Sequence, residues 1–316
     1  MRRVALIYNP ASGQNSGGRR TVIDKALSIL REAGVEAEAL ETYAPGSAGV
    51  LAEEAVRRGC DTILACGGDG TVHEVLQSLV GTSVALGVVP LGTANALAAN
   101  LGLRSSPAKA VRKLLTAAPV RVSVGQISYR DAAGSTSSRY FTVTAGVGPD
   151  ALFLSRLDPG LKRRFGYLLY LVEGFRLWAT HSFPLFRATF EVSSSTQPRV
   201  EEVSQLLAVR IRNYGGVLHN FAPGATLHNN GLRLIAFKTR SRLSYFCFMM
   251  AAMFGRQTFS REIELLDAIS VECRPCNGSS PRVFAEADGE LLGDLPVRIE
   301  IVPQAITLLI PLNARP

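Results

Sequence analysis

A glycine-rich segment with an embedded carboxylate is the part of this sequence best suited to chemistry. Gly67-Gly68-Asp69-Gly70-Thr71 follows an apolar run at residues 62–66, and apolar side chains recur at helical spacing over residues 71–80. Glycines let a phosphate approach the backbone closely, and the start of a helix offers N–H groups and a partial positive charge. A tight strand-to-helix turn without a ligand is the alternative, but Asp69 and Thr71 favour a phosphate site.

Three further polar loops follow strand-like segments in this part of the chain. Residues 9–18 come after the first apolar run, Thr42 ends the segment 35–41, and residues 90–95 follow the run at 84–89. In a parallel sheet, loops at the carboxyl ends of neighbouring strands line one crevice. Four such loops together predict a nucleotide site. The spacing matches neither a Walker A motif nor a dinucleotide fingerprint.

The elements that must position these loops alternate between strand and helix. Apolar runs at 4–8, 62–66 and 84–89 alternate with helical patterns at 21–33, 48–58 and 71–80, which predicts a doubly wound parallel sheet in an α/β domain. From about residue 120, alternating runs predict an antiparallel, β-rich second domain. A helical region at 159–178 interrupts it. The predicted boundaries are 1–120 plus about 297–316 for the first domain and 121–296 for the second. The second domain's strand-like runs are 121–129, 140–145, 185–192, 205–212, 232–238 and 263–271, with closing runs at 297–302 and 305–310.

The composition predicts a globular protein with anionic partners. Of 316 residues, 47% are hydrophobic and 19% charged, which excludes a disordered chain. The net charge is +8, and residues 121–316 contain 22 Lys or Arg against 16 Asp or Glu. No nucleic-acid motif accompanies this charge, so we expect no nucleic-acid partner. Five scattered cysteines favour a reducing cytoplasm. No signal peptide and no membrane-spanning helix are expected.

Two stretches of the second domain combine basic residues with apolar ones. Lys162-Arg163-Arg164 opens the apolar region that ends at Trp178, and Arg240 and Arg242 precede the apolar run 245–254. Such a combination suits an anionic membrane surface or a lipid-tail cleft. A core helix with a solvated basic end is the alternative.

An ordered set of motifs spans nearly the whole chain. Asn9-Pro10 with Ser12-Gly13 comes first, then Gly67-Gly68-Asp69-Gly70-Thr71, and then Pro90-Leu91-Gly92-Thr93-Ala94-Asn95. The set continues through the segments 146–151, 213–216 and 222–223 to Asp288-Gly289-Glu290. This sequence resembles the diacylglycerol kinase catalytic-domain family, which includes bacterial lipid kinases and is related to sphingosine and ceramide kinases. The Gly-Gly-Asp-Gly-Thr motif alone is shared with NAD kinases, whereas the ordered set is specific.

The resemblance implies an NAD kinase/diacylglycerol kinase-like fold and ATP-dependent phosphorylation of a lipid hydroxyl, with ATP bound in the first domain and the lipid in the second. Asp288 matches the general base, with Glu290 beside it and Asp69 as the third catalytic residue. Asp69 is also the best carboxylate for Mg²⁺ arriving with ATP. The implied location is cytoplasmic, peripheral at the anionic inner membrane surface. The implied nucleotide-binding residues are Asn9, Pro10, Ser12, Gly13, Thr42, Gly67, Gly68, Asp69, Gly70, Thr71, Glu74, Gly92, Thr93 and Asn95.

Three positions depart from the family pattern. His73 and Ala96 stand where the family has Asn and Asp, and Asn230 replaces the Asp before a Gly-x-Leu run of bacterial members. The resemblance assigns the two missing carboxylates to an accessory structural Mg²⁺ network. An Asn carbonyl can ligate a hard cation without charge, and Ala cannot ligate at all. The sequence therefore gives no basis for predicting that accessory metal.

Two other functions remain open at this point. One is an NAD kinase-like transferase with a soluble substrate, and the other is a catalytically silent protein that binds a lipid or a nucleotide. The sequence does not choose among diacylglycerol, phosphatidylglycerol and long-chain amino alcohols as acceptor. The aromatic run at residues 181–186 fits either a homodimer contact or a core strand.

Overall fold

A computed structural model describes residues 1–13, 18–156, 176, 178–192, 197–213, 221–276, 282–312 and 314. The chain forms two compact units. The first consists mainly of Met1–Val124 and Val302–Pro316, and the second of Gly125–Arg212 and Val217–Ile301.

The first unit is a parallel sheet flanked by helices. Its strands run in the order β2-β1-β3-β4-β16, and each neighbouring pair is parallel. The chain places β2 on one side of β1 and then β3 and β4 on the other side, so the strand order reverses between β1 and β3. The elements are β1 (Arg3–Tyr8), α1 (Arg19–Glu32), β2 (Glu36–Glu41), α2 (Ser47–Arg57), β3 (Thr62–Gly67), α3 (Asp69–Leu79), β4 (Ala85–Pro90), α4 (Ala96–Asn100), α5 (Pro107–Leu115) and the C-terminal part of β16 (Val297–Ile310).

The predicted alternation of strand and helix in this unit is confirmed. Every residue of β3 and β4 is buried, as continuous apolar runs require in a sheet covered on both faces. In α1 the buried side chains include Ile23, Ala26 and Leu30, which lie at helical spacing on one face. The short helices α4 and α5 were not predicted.

The second unit contains antiparallel sheets, as predicted. One sheet has the strand order β12-β11-β10-β7-β14-β15. In the other set of strands, β8 pairs with β9 on one side and with β13 on the other, and β13 also pairs with β16. One apolar core, which includes Phe141, Phe186, Leu234 and Ile299, draws side chains from both sets of strands. The elements are the part of β5 (Ala118–Arg130) from Gly125 onward, β6 (Thr136–Phe141), β7 (Thr144–Val147), α6 (Pro149–Arg156), β8 (Phe186–Glu191), β9 (Arg199–Val203), β10 (Gln205–Val209), β11 (Leu232–Phe237), α7 (Arg242–Met253), β12 (Ile263–Ala268), β13 (Ser270–Pro275), β14 (Phe284–Ala287), β15 (Glu290–Asp294) and the first residues of β16.

Several predicted segments differ from the structure in their boundaries. The run 263–271 is divided between β12 and β13, and the two closing runs form one strand, β16. Phe183 and Phe186 of the aromatic run are buried, which favours the core interpretation of that run. The predicted helix at 159–178 lies outside the described residues except for 176 and 178. No helix in the described ranges is long and apolar enough to cross a membrane.

Candidate functional site

The glycine-rich loops of the first unit meet at the carboxyl ends of β1, β3 and β4. A side-chain carbon on Gly92 would lie 2.5 Å from the Cα of Gly68, so these two loops touch through their backbones. A side-chain carbon on Gly13 would lie 2.5 Å from the carbonyl oxygen of Leu91. The site lies where the strand order reverses between β1 and β3, which is where open α/β sheets bind ligands.

The carboxylate of Asp69 joins two of these loops. Its Oδ2 accepts the N–H of Asn95 at 3.0 Å, and its Oδ1 accepts the N–H of Ala96 at 2.7 Å. Asn95 has a left-handed backbone (φ 51°), and its side-chain amide accepts from and donates to the backbone of Gly92. Asp69 therefore fixes the start of α4 against the start of α3, a local role that needs two acceptor oxygens on one side chain.

The start of α3 is suited to an anion. Gly68 is its N-cap residue and has no side chain with which to cap this end of the helix. Peptide dipoles and N–H groups at a helix start favour negative charge. The Thr71 side chain packs against the backbone of Gly67, and Thr93 is exposed in the neighbouring loop.

The remaining predicted nucleotide residues divide into two groups. Asn9 stays with the loops, because its N–H donates to Cys66 O and its Oδ1 accepts the N–H of Ala11. Ser12 accepts a hydrogen bond from the guanidinium of Arg19 through its carbonyl oxygen. The Glu74 carboxylate lies apart from the glycines and accepts the N–H of Ala48 at the start of α2. The Thr42 N–H donates to Tyr8 O at the carboxyl end of β1, next to Asn9.

In the second unit, Asp288 is held by three consecutive backbone N–H groups. Its Oδ1 accepts from Val143 at 2.9 Å and Thr144 at 3.0 Å, and its Oδ2 accepts from Thr142 at 3.0 Å. This carboxylate explains why the predicted strand 140–145 is interrupted between β6 and β7, since those N–H groups face Asp288 instead of a ladder partner. Glu290 begins β15 and is partly exposed.

A second pair of carboxyl groups is buried in the same unit, and sequence reasoning assigned it no role. Glu286 of β14 and Asp150 at the start of α6 approach each other above Gly146 of β7. A side-chain carbon on Gly146 would lie 1.5 Å from Asp150 Oδ2 and 3.0 Å from Glu286 Oε1. Neither Asp150 oxygen has a hydrogen-bond partner among the described residues. The Gly-x-Gly-x-Asp spacing at 146–150 was the available sequence signal.

This environment raises both pKa values. Burial raises the pKa of Asp150 to about 7, and burial together with the Asp150 charge raises the pKa of Glu286 well above its usual range. Among the described residues, Asp288 and Tyr245 also contribute to the electrostatics of this pair. The folded protein therefore retains protons on the pair that the unfolded chain, with pKa values of about 4, has already released.

We expect the stability of the protein to fall as the pH rises from 5 to 8. In this window the folded state binds more protons than the unfolded state, so each increment of pH favours unfolding. Between pH 5 and pH 8 the Tm of the wild type should fall, and the Tm of Asp150→Asn should fall by about 5–10 °C less. Thermal denaturation at several pH values measures both changes. Asp294→Asn, at a partly exposed position paired with Arg282, is the control and should follow the wild type. Equal slopes for Asp150→Asn and the wild type would contradict this assignment.

The side chains present do not fit the accessory magnesium site. No three His, Cys, Asp or Glu side chains of the described residues are grouped as metal ligands. Residue 96 is an alanine whose N–H bonds to Asp69, and residue 230 is an asparagine.

Comparison with known families relates both units to one enzyme class. A model described as the diacylglycerol kinase catalytic domain matches residues 3–127, and one described as the YegS C-terminal NAD kinase beta sandwich-like domain matches residues 142–310, more than half of the chain. The chain belongs to the diacylglycerol kinase catalytic-domain family. The resemblance and the fold class predicted from the sequence are thereby confirmed.

Relatives in this family align along nearly the whole chain. A diacylglycerol kinase of Bacillus subtilis is 27% identical over 300 residues, covering 94% of this chain and 92% of the relative. A diacylglycerol kinase of Mycobacterium tuberculosis is 27% identical over 314 residues, covering 98% and 95%. Family membership supports a kinase that acts on a lipid.

Solved structures show the same fold. A diacylglycerol kinase from Bacillus anthracis has a TM-score of 0.71 at 19% identity, covering 99% of this chain and 98% of that one. Yeast NADH kinase in complex with NADH has a TM-score of 0.53 at 11% identity, covering 98% of this chain and 83% of that one. At these identities the likeness concerns the fold alone.

Proposed function

We propose that this protein is an ATP-dependent lipid kinase that transfers the γ-phosphate of ATP to a lipid hydroxyl. The observation that carries the proposal is the backbone contact between the glycine loops at Gly68 and Gly92, in a chain of the diacylglycerol kinase family. Loops without side-chain bulk beside an uncapped helix start suit a phosphate chain.

ATP would bind through the first unit. The loops at Asn9–Gly13, Gly67–Thr71 and Gly92–Asn95 would surround the phosphates with small residues, and the start of α3 would offer its backbone N–H groups. Asp69 holds two of the loops together. Mg²⁺ enters as part of the MgATP substrate and screens the phosphate charge. Asp69 is the one carboxylate in the sequence of these loops and would be the group that meets it.

Asp288 would accept the proton of the lipid hydroxyl. As the hydroxyl oxygen forms its bond to the γ-phosphorus, the bond to the β,γ-bridging oxygen breaks, ADP leaves, and the proton moves to the Asp288 carboxylate. Because the transition state of phosphoryl transfer is loose, the position of the general base relative to the hydroxyl matters more than its strength as a base. Three N–H groups supply that positioning by fixing both oxygens. Glu290, two residues on, would assist with its charge.

The test is ATP turnover with Mg²⁺ against mixed micelles of diacylglycerol, phosphatidylglycerol or a long-chain amino alcohol, with NAD as a soluble acceptor. Radiolabelled phosphate in one lipid would support the proposal and name the substrate class. The NADH kinase-like fold is the observation that favours a second candidate, an NAD kinase-like transferase, and label in NAD would establish that one. ATP binding without transfer to any acceptor would favour a catalytically silent protein.

The lipid would be reached at an anionic membrane surface, and α7 provides a suitable docking face. One side of α7 packs in the second unit through Tyr245, Phe248 and Ala252. The other side exposes apolar side chains, with Leu243 69%, Phe246 46% and Phe254 72% exposed. A helix that is apolar on both sides has its outer side covered by a partner or a lipid surface.

Positive charge around this face favours an anionic bilayer as the partner. Four exposed arginines border the apolar side chains at the two ends of α7: Arg240, Arg242, Arg256 and Arg261. Apolar insertion combined with basic residues is the usual pattern of peripheral attachment. All five cysteines are free, which is consistent with the proposed cytoplasmic side of the membrane.

We expect Phe246→Ser with Leu243→Ser to weaken binding to phosphatidylglycerol-containing vesicles at least about tenfold, because the bilayer-inserting apolar area is lost. Trp178 is the single tryptophan of the chain, and its ring centroid lies 5.7 Å from that of Phe246. Its fluorescence should shift to shorter wavelength when vesicles are added. Val200→Ser, at an exposed apolar position of β9, is the matched control. Binding that is insensitive to anionic lipid and salt would contradict the proposal.

A further inference from the structure

A buried arginine organises a loop of the second unit. Arg210 directly follows β10 and is only 1% exposed. Its guanidinium donates to three backbone carbonyl oxygens, those of Gly231 at 2.6 Å, Asn229 at 3.0 Å and Leu227 at 3.2 Å. These carbonyls belong to one short segment, residues 227–231, which leads into β11.

The Arg210 side chain is a cation in this setting. Burial lowers the pKa of Arg210 to about 10, which still leaves the guanidinium charged at neutral pH. Carbonyl oxygens that converge on one point are costly to bury without a donor or a cation among them. The guanidinium supplies both the hydrogen bonds and the charge.

The loop that Arg210 orders lies where the family resemblance implies part of a metal site. Residues 229–231 are the Asn-Asn-Gly segment in which the family resemblance places a carboxylate of the accessory Mg²⁺ network. Converging carbonyl oxygens are ligands of the kind that hard cations take. Here they already bond to a fixed positive charge, which would repel a divalent ion from the same oxygens.

We infer that Arg210 takes the place of the accessory metal, so that an internal cation orders residues 227–231 and this loop binds no Mg²⁺. The loss of carboxylates at positions 96 and 230 is then compensated by a side chain of the chain itself. This inference does not depend on the proposed acceptor or on activity.

Hydrogen exchange measured by mass spectrometry tests the inference at the loop itself. In the wild type without nucleotide, deuterium uptake of residues 222–235 should be the same in 5 mM Mg²⁺ and in EDTA, a concentration of about 5 mM being ample for a hard-cation site of ordinary affinity. In the double variant Arg210→Met with Asn230→Asp, the carboxylate returns and the competing charge is gone. Uptake in this segment should then be lower in Mg²⁺ than in EDTA.

Thermal denaturation supplies the second measurement. Arg210→Met should lower the Tm by roughly 5–10 °C because three backbone carbonyls, one of them on the buried Leu227, lose their donor. Arg233→Met is the control, since Arg233 lies in the next strand, pairs with the exposed Asp267 and donates to one backbone carbonyl, that of Pro223, rather than to three. It should lower the Tm by a few degrees at most.

Two results of the hydrogen-exchange experiment would overturn the inference. One is protection of residues 222–235 by Mg²⁺ in the wild type, which needs no variant to fold. The other is a double variant that remains folded but shows no Mg²⁺-dependent protection. Equal Tm losses for Arg210→Met and Arg233→Met would also count against Arg210 as the organising cation.

Discussion

Asp288→Asn is expected to lower kcat about 10³-fold while ATP binding stays near the wild-type level. An amide cannot accept the hydroxyl proton, and general-base catalysis contributes a factor of this order. The substitution also turns an NH₂ group toward backbone N–H groups of residues 142–144, where the carboxylate accepted three hydrogen bonds. We therefore expect a Tm loss of several degrees as well.

The experiment must separate chemistry from folding. Asp294→Asn makes the same chemical change in the adjoining strand, where Asp294 pairs with Arg282 at the surface, and it should retain both activity and Tm. Calorimetric ATP affinity and Tm are measured for both variants alongside turnover. If Asp288→Asn remains folded, binds ATP and turns over ATP near the wild-type rate, another group must accept the proton.

The second large effect is expected for Gly92→Ala, which should weaken ATP binding at least about 100-fold. The new methyl carbon would lie 2.5 Å from Gly68 Cα and 2.9 Å from Asn95 Oδ1, so the two loops must move apart. A displacement of about 1 Å in a phosphate-binding loop is enough to lose most of its contacts. Calorimetric titration with MgATP measures the loss.

Gly70→Ala is the informative partner of this variant. No atom lies within 4 Å of a side-chain carbon at residue 70, in the first turn of α3. Alanine should therefore raise the Tm by about 2–4 °C through its higher helix propensity. If phosphates lie against this turn, the same methyl group should weaken ATP binding about tenfold. Wild-type ATP affinity in both variants would refute the proposed phosphate site.

The sequence was sufficient for the architecture because that information is local. Continuous apolar runs become buried parallel strands, as in β3 and β4, since a strand covered on both faces needs apolar side chains at every position. The ordered motifs led to the family, and the match over residues 3–127 and 142–310 confirms it. Small residues at the ends of β1, β3 and β4 indicated the edge on which the loops meet.

Segment boundaries were less predictable where a distant residue decides them. Residues 140–145 have the pattern of one strand, but Asp288, more than 140 positions along the chain, takes the N–H groups that a ladder would use. Glu74, which the family resemblance implies as a nucleotide residue, stays a prediction in that role, and its carboxylate accepts the N–H of Ala48, 26 positions away. Hydrogen-bond partners of this kind are chosen by packing, which spacing does not report.

By itself, the sequence determined the strand and helix alternation, the edge of the sheet that carries the loops, and the family. Only the tertiary structure decided how charge is compensated inside the second unit. It brought Asp150 and Glu286 together over Gly146, and it placed the Arg210 guanidinium among the carbonyls of residues 227–231. The reason is physical: periodicity follows from backbone geometry within a few residues, whereas burial pairs groups that are far apart in the chain.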